Sequence, residues 1–241
     1  MALFASPPRS NESHNGPNHH ESALGAVLGE PALNAHRLQL AAKSTVYQPT
    51  DPASHLYYIH AGQVRTYQIA ANGSRRLVEI LGPGQWCGAA SLARTDQYGE
   101  IAEATTATTV SVVPVDRLFE ILPQEPAVAA DLIRQLAEKL ATYREDASGL
   151  VFEDCNDRLI RTLVTLSVSP AATPSEDGVI VHITHQQLAQ KVGVARETIS
   201  LALAQLRRKN LLRTGRNQLF FSPQSLQQAT PRKPEPQRGE A

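Results

Sequence analysis

The sequence predicts an α+β chain: an N-terminal antiparallel β-roll, one long helix, and a C-terminal winged helix-turn-helix. Short β-branched and aromatic runs separated by glycine turns point to the roll. A stripe of apolar residues at spacings of three and four after Pro126 points to the helix. Two short amphipathic segments joined through Gly193, with a Gly-containing hairpin behind them, point to the last unit.

The roll is read from LYYI at 56–59, QVRTYQI at 63–69, RLVEIL at 76–81 and the run 105–113. Ala61-Gly62, Asn72-Gly73 and the Gly-Pro-Gly at 82–84 supply turns between them, the arrangement of an antiparallel roll or barrel, here a jelly roll. The helix after Pro126 carries Val128, Leu132, Ile133, Leu136, Leu140, Tyr143, Ala147, Leu150 and Val151 on an apolar stripe of six turns or more. A near-heptad stripe suits a two-stranded seam, so Leu132, Leu136, Leu140, Tyr143 and Leu150 are the expected dimer contacts. A further amphipathic helix is expected over 157–167, and a Pro/Ser/Gly loop over 169–178. The divisions are a disordered leader at 1–36, a sensory β-roll at 37–124 and the dimerisation helix at 125–154. A winged helix-turn-helix at 155–223 and a disordered tail at 224–241 complete the chain.

The 241 residues suffice for two modest domains, each with a core. With 41% hydrophobic and 19% charged residues the composition is that of a globular protein. No uncharged apolar stretch reaches the roughly 18 residues of a membrane span, and residues 1–31 lack the apolar run of a signal peptide. Two cysteines, Cys87 and Cys155, make neither a disulfide framework nor a four-thiolate cluster, so a cytoplasmic setting is expected. Net charge is zero, yet between His182 and Arg216 seven basic residues face a single acid, Glu197. They are Lys191, Arg196, Arg207, Arg208, Lys209, Arg213 and Arg216, a local footprint suited to phosphates.

The nucleic-acid reading rests on two helices. Thr184 and Gln187 have the spacing of a capping box, and Leu188, Ala189 and Val192 give that helix an apolar face. Gly193 ends it in a conformation that permits a sharp turn. The second helix, over about 195–209, turns Ile199, Ala202, Leu203 and Leu206 inward and presents Arg196, Glu197 and Ser200 outward. A helix so placed enters the major groove, where arginine pairs with guanine O6 and N7 and glutamate accepts from cytosine N4. The hairpin over 211–221 is a wing whose Arg213 and Arg216 reach phosphates. Thr184, His185, Thr198 and Arg207 complete the expected DNA-contacting set.

With those residues in view, the sequence resembles the Crp/Fnr family of bacterial regulators over about 38–223. The most specific piece is LAQKVGVARETIS at 188–200; LYYIHAG at 56–62 and GPGQWCG at 82–88 are similar to the family's effector domain. Within the family, 88–163 looks most like cyanobacterial nitrogen regulators. The resemblance implies a homodimer on pseudo-palindromic promoter DNA, RNA polymerase as a partner, and an effector pocket around Gly88, Ala89, Ala90, Glu100, Lys139 and Arg144. It also implies domain re-orientation about a hinge near 153–156. Leu201 stands where many members have a second arginine, so the half-site should differ at one base pair.

The pocket departs from the family pattern. Cyclic-AMP binders hold the phosphate with an arginine after a Gly-Glu pair; here Gly88-Ala89 replaces the pair, and YGEIAE at 98–103 has no arginine. In the nitrogen regulators an Arg on the roll, an Arg on the long helix and a later Glu serve 2-oxoglutarate; here those positions are Glu100, Lys139 and Arg144. Cyclic AMP and 2-oxoglutarate are both expected to be poor effectors, and no cofactor is predicted. Four-thiolate oxygen sensing is excluded by two cysteines. A haem-type or other small-molecule sensor, with His55, His60 or Cys87 as candidate ligands, is the alternative; a cupin-like metalloenzyme lacks its His-x-His spacing. The leader histidines His14, His19 and His20 suggest no functional metal site.

Overall fold

A computed structural model describes residues 22–71, 73–152 and 154–228, with the backbone alone for 148–152. The chain begins with helix α1 (Ala23–Val27) and a 3-10 turn (Pro31–Leu33), then enters strands β1 (His36–Leu40), β2 (Thr45–Tyr47), β3 (His55–Ala61), β4 (Val64–Ile69), β5 (Arg75–Leu81) and β6 (Trp86–Cys87). Helix α2 (Ala89–Leu92) precedes β7 (Ile101–Ala104) and β8 (Thr108–Pro114). Helices α3 (Val115–Ile121), α4 (Pro126–Phe152) and α5 (Cys155–Ser167) follow. Next come the pair β9 (Ala172–Ser175) and β10 (Gly178–Val181), helices α6 (His185–Val192) and α7 (Arg196–Arg208), and strands β11 (Leu212–Gly215) and β12 (Gln218–Phe221). Helix α8 (Pro223–Gln228) ends the described chain.

Two four-stranded antiparallel sheets, ordered β1-β8-β3-β6 and β2-β7-β4-β5, make the roll. In β3 the alternate residues Leu56 and Tyr58 enter one core, while Ile59, on the other face, enters a second. The third sheet, β11-β12-β10-β9, is the wing platform. Its strand β9 corrects the expected loop over 169–178: Val181 pairs with Ala172 and Gly178 with Ser175, so a short hairpin forms despite the Pro and Ser.

Two further corrections concern the ends. Residues 22–36 were expected in a disordered leader, but Leu24 and Leu33 are fully buried and pack with Leu56, Trp86, Val128 and Leu132. Ser22 Oγ donates to Asp131 Oδ2 at 2.5 Å, which ties α1 to α4. An N-terminal segment too short for a periodic pattern hides such anchors from sequence reading. At the other end, Leu226 of α8 is buried against the core that α5 and α6 share, so the DNA-binding unit runs past residue 223. His14, His19 and His20 lie outside the described residues.

The roll and the C-terminal unit touch directly. Arg65 Nη2 donates to His182 O at 3.2 Å, Gln63 Nε2 to Pro170 O at 3.0 Å, and Lys191 Nζ to Val78 O at 2.8 Å. This contact explains why β4 is buried on consecutive positions where a one-sided strand would alternate.

Candidate nucleic-acid interface and sensory pocket

The first helix of the interface starts at Thr184, whose Oγ1 accepts from Gln187 N at 3.1 Å while Gln187 Oε1 accepts from Thr184 N at 3.1 Å. The reciprocal pair satisfies backbone donors that the helix start leaves open. Gly193 takes φ 77°, the left-handed region, and its N–H donates to Ala189 O. That turn swings the chain into α7, which buries Ile199, Ala202, Leu203 and Leu206 against α6. His185 Nδ1 and Ser200 Oγ, 3.1 Å apart, clamp the two helices together. Ser200 Oγ also donates to Arg196 O at 3.0 Å. His185 and Ser200 therefore hold the geometry, while Arg196, Glu197 and Thr198 stand exposed on the first turn of α7.

Arg207 is exposed at the far end of α7, about 16 Å along the axis from Arg196 at 1.5 Å per residue. On the wing, Arg213 lies over the Phe220 ring at 4.1 Å and Arg216 occupies the two-residue tip between the paired Gly215 and Gln218. One charge leaves the footprint. Lys191 points inward, where its ammonium is 3.8 Å from Asp146 Oδ2 and bonded to Val78 O. Burial pulls its pKa below that of an ordinary lysine. It joins the C-terminal unit to the roll and leaves the expected basic footprint.

The structure brings some of the expected pocket residues together. Gly88 takes φ 91°, and a Cβ there would stand 2.9 Å from His55 O, so the turn into α2 requires glycine. Ala89 and Ala90 pack into the two cores on either side. Glu100 Oε1 accepts from the Tyr47 hydroxyl at 2.7 Å, and the Tyr47 ring stacks on Tyr98 at 4.0 Å. Lys139 Nζ bonds Glu79 Oε1 at 2.5 Å and lies 5.1 Å from the Trp86 ring centroid. Burial raises the Glu100 carboxyl above its usual range, and Glu79 nearby adds to the rise; the Tyr47 hydrogen bond and Lys139 act against it. Burial also raises the Cys87 thiol, which is fully enclosed. Arg144 departs from the expected set: it is exposed on α4, and no hydrogen bond or ion pair joins it to these groups among the described residues. Nothing local in the sequence signals the Glu79–Lys139 pair, because its members are 60 residues apart.

His55 bonds Ser54 Oγ at 2.9 Å and His60 bonds Ser111 Oγ at 2.7 Å, so both candidate haem ligands are engaged in the sheet. Among the described residues no group of three His, Cys, Asp or Glu could hold a metal, and no helix is long and apolar enough to cross a membrane. An open groove of about 770 Å³ separates β5, α4 and the turn around Ser169 and Pro170; Lys139, Tyr143 and Lys191 line it.

One member of the expected α4 strip is buried within the chain itself. Leu132, expected in the dimer contact, is 4% exposed and packs into the roll. Its neighbour Ile133 is 67% exposed, about 100° further round the helix, and continues through Leu136, Leu140 and Tyr143 at spacings of three, four and three. The side chain of Leu150 lies outside the described residues.

A sensory roll joined by a long helix to a winged helix-turn-helix defines a DNA-binding transcription regulator, and comparisons with known proteins agree. Residues 37–125 match the cyclic nucleotide-binding domain, and residues 157–229 match the Crp-like helix-turn-helix domain. The chain belongs to the Crp/Fnr family. It is 29% identical over 188 residues to the cAMP-activated global transcriptional regulator CRP of Haemophilus influenzae, covering 77% of this chain and 84% of that one. The CRP-like protein Clp of Xanthomonas campestris is 28% identical over 185 residues, covering 74% and 80%. The solved structure of the c-di-GMP responsive regulator CLP of Xanthomonas campestris superposes with a TM-score of 0.70 at 26% identity, covering 79% of this chain and 95% of that chain. These relatives are transcription regulators, not enzymes, and regulators of this family act as dimers on DNA.

Proposed function

We propose that this chain reads promoter DNA with the first turn of α7 and holds its orientation with the wing, as a cytoplasmic homodimer joined along α4. The observation that carries the reading is the exposure of Arg196, Glu197 and Thr198 on a helix whose opposite face is wholly buried. Arg196 pairs with a guanine and Glu197 with a cytosine amino group. Arg207, Arg213 and Arg216 neutralise phosphates, while Thr184, His185 and Ser200 set the helix angle and add backbone contacts. The domain divisions follow: a sensory roll, the α4 seam, and a reading unit re-oriented about the break between α4 and α5, with RNA polymerase as the partner on the promoter.

The roll, in this reading, fills its own pocket. Tyr47, Tyr98 and Glu100 take up the interior and Glu79 neutralises Lys139, so neither the phosphate of cyclic AMP nor the carboxylates of 2-oxoglutarate find a free cation. A small-molecule signal has room in the groove beside Lys139 and Lys191.

The test compares two arginines. Arg196→Ala should cost about 1–3 kcal/mol on the specific site and relax preference at one base pair. Arg213→Ala should weaken all sequences alike and reduce the salt slope by about one. An unchanged ratio of specific to random-DNA affinity in Arg196→Ala overturns the assignment.

A further inference from the structure

Leu201 lies one turn after Glu197 on α7, a separation of i and i+4 that places both side chains on one strip of the helix. That strip faces directly away from Ile199, Ala202, Leu203 and Leu206, the residues buried against α6. Leu201 is 67% exposed. A lone exposed leucine elsewhere on a surface would mean nothing. This one stands at the centre of the face that the proposed base reading lays in the major groove, between groups that otherwise carry charge or hydrogen-bonding capacity.

We infer that Leu201 selects a thymine by packing on its C5 methyl group. The inference rests on the base-reading role of α7 proposed above. Leucine offers no donor or acceptor, and the thymine methyl is the one apolar feature that base edges display in the major groove. Guanine O6 and N7, or the cytosine amino group, covered by an isobutyl side chain would lose water without gaining a partner, and such unmade hydrogen bonds disfavour those bases. Selection therefore comes from attraction to thymine and from the desolvation of its competitors. Four residues of helix rise about 6 Å, against about 3.4 Å per base pair along the duplex, so the thymine lies one or two base pairs from the pair read by Glu197. The side chain leans out of the fold, so its replacement leaves the α6–α7 core intact.

The experiment uses the full-length chain and a half-site defined by selection from random duplex DNA. Each thymine of one half-site is replaced in turn by uracil, which removes the methyl and nothing else. At one position the wild-type chain should lose about fourfold in affinity, the worth of one buried methyl-sized group. Leu201→Ala should bind the thymine and uracil forms of that position equally, with its Arg196-dependent step preserved. Leu201→Arg should move the preferred base to guanine, through the bidentate pairing that arginine makes. Uracil tolerated at every thymine, or the same uracil penalty in Leu201→Ala, overturns the role of Leu201 while leaving α7 as the reading helix. A pool from which no sequence is enriched, or Arg196→Ala with unaltered specificity, overturns the base-reading role itself and this inference with it.

Discussion

Glu100 shows how the roll interior sets the charge state of one carboxyl. Its carboxyl is half-buried, accepts from the Tyr47 hydroxyl and sits close enough to Glu79 to feel its charge. The folded state holds its proton more tightly than the unfolded chain does, where the carboxyl ionises near 4.5. The stability it contributes is complete below that value and is lost as the pH rises through the raised folded-state value. Glu100→Gln keeps an oxygen for Tyr47 and removes the charge. It should therefore stabilise the protein relative to wild type more at about pH 8 than at about pH 5, measured by urea denaturation. An equal difference at both pH values would show that the carboxyl is not held in a raised state. Glu100 was legible in the sequence as an acid on the roll, but its partner Tyr47 was not, since a single tyrosine in a three-residue strand carries no pattern.

At the scale of elements, α4 carries two duties on two faces. Val128 and Leu132 close the roll, while Ile133, Leu136, Leu140 and Tyr143 stay exposed on a single chain at heptad spacing. A charge at the centre of that strip, Leu140→Glu, should leave folding intact because the residue is 59% exposed, and should give monomers with weak DNA binding. Sedimentation showing an unaltered dimer would place the seam elsewhere. The helix itself was plain from its periodicity, as were α5, α6, α7, the wing and the main strands of the roll. Leu132 entered the expected strip because it and Ile133 are both apolar, and only the packed roll says which of the two faces it. Strands β1, β2, β6, β7, β9 and β10 escaped the sequence because they are short or polar and owe their pairing to partners such as β8, β4 and β12. The capping box at Thr184 and the left-handed Gly193 were legible because both are local backbone requirements.

For the whole molecule, the contacts from Gln63, Arg65 and Val78 to the C-terminal unit give the reading helix a defined place on the roll. The proposed pairing of two such chains along α4 would set two copies of α7 at a fixed separation, which a palindromic site would record. Rotational phase therefore tests the proposed dimer. With half-site centres about one helical turn apart, roughly 10 base pairs, the full-length chain should bind tightly. An insertion of five base pairs turns one half-site to the opposite face of the duplex, and affinity should fall by on the order of 100-fold or more toward the non-specific level. Equal affinity for the two spacings, measured at one salt concentration, would contradict a dimer that reads DNA with two α7 helices.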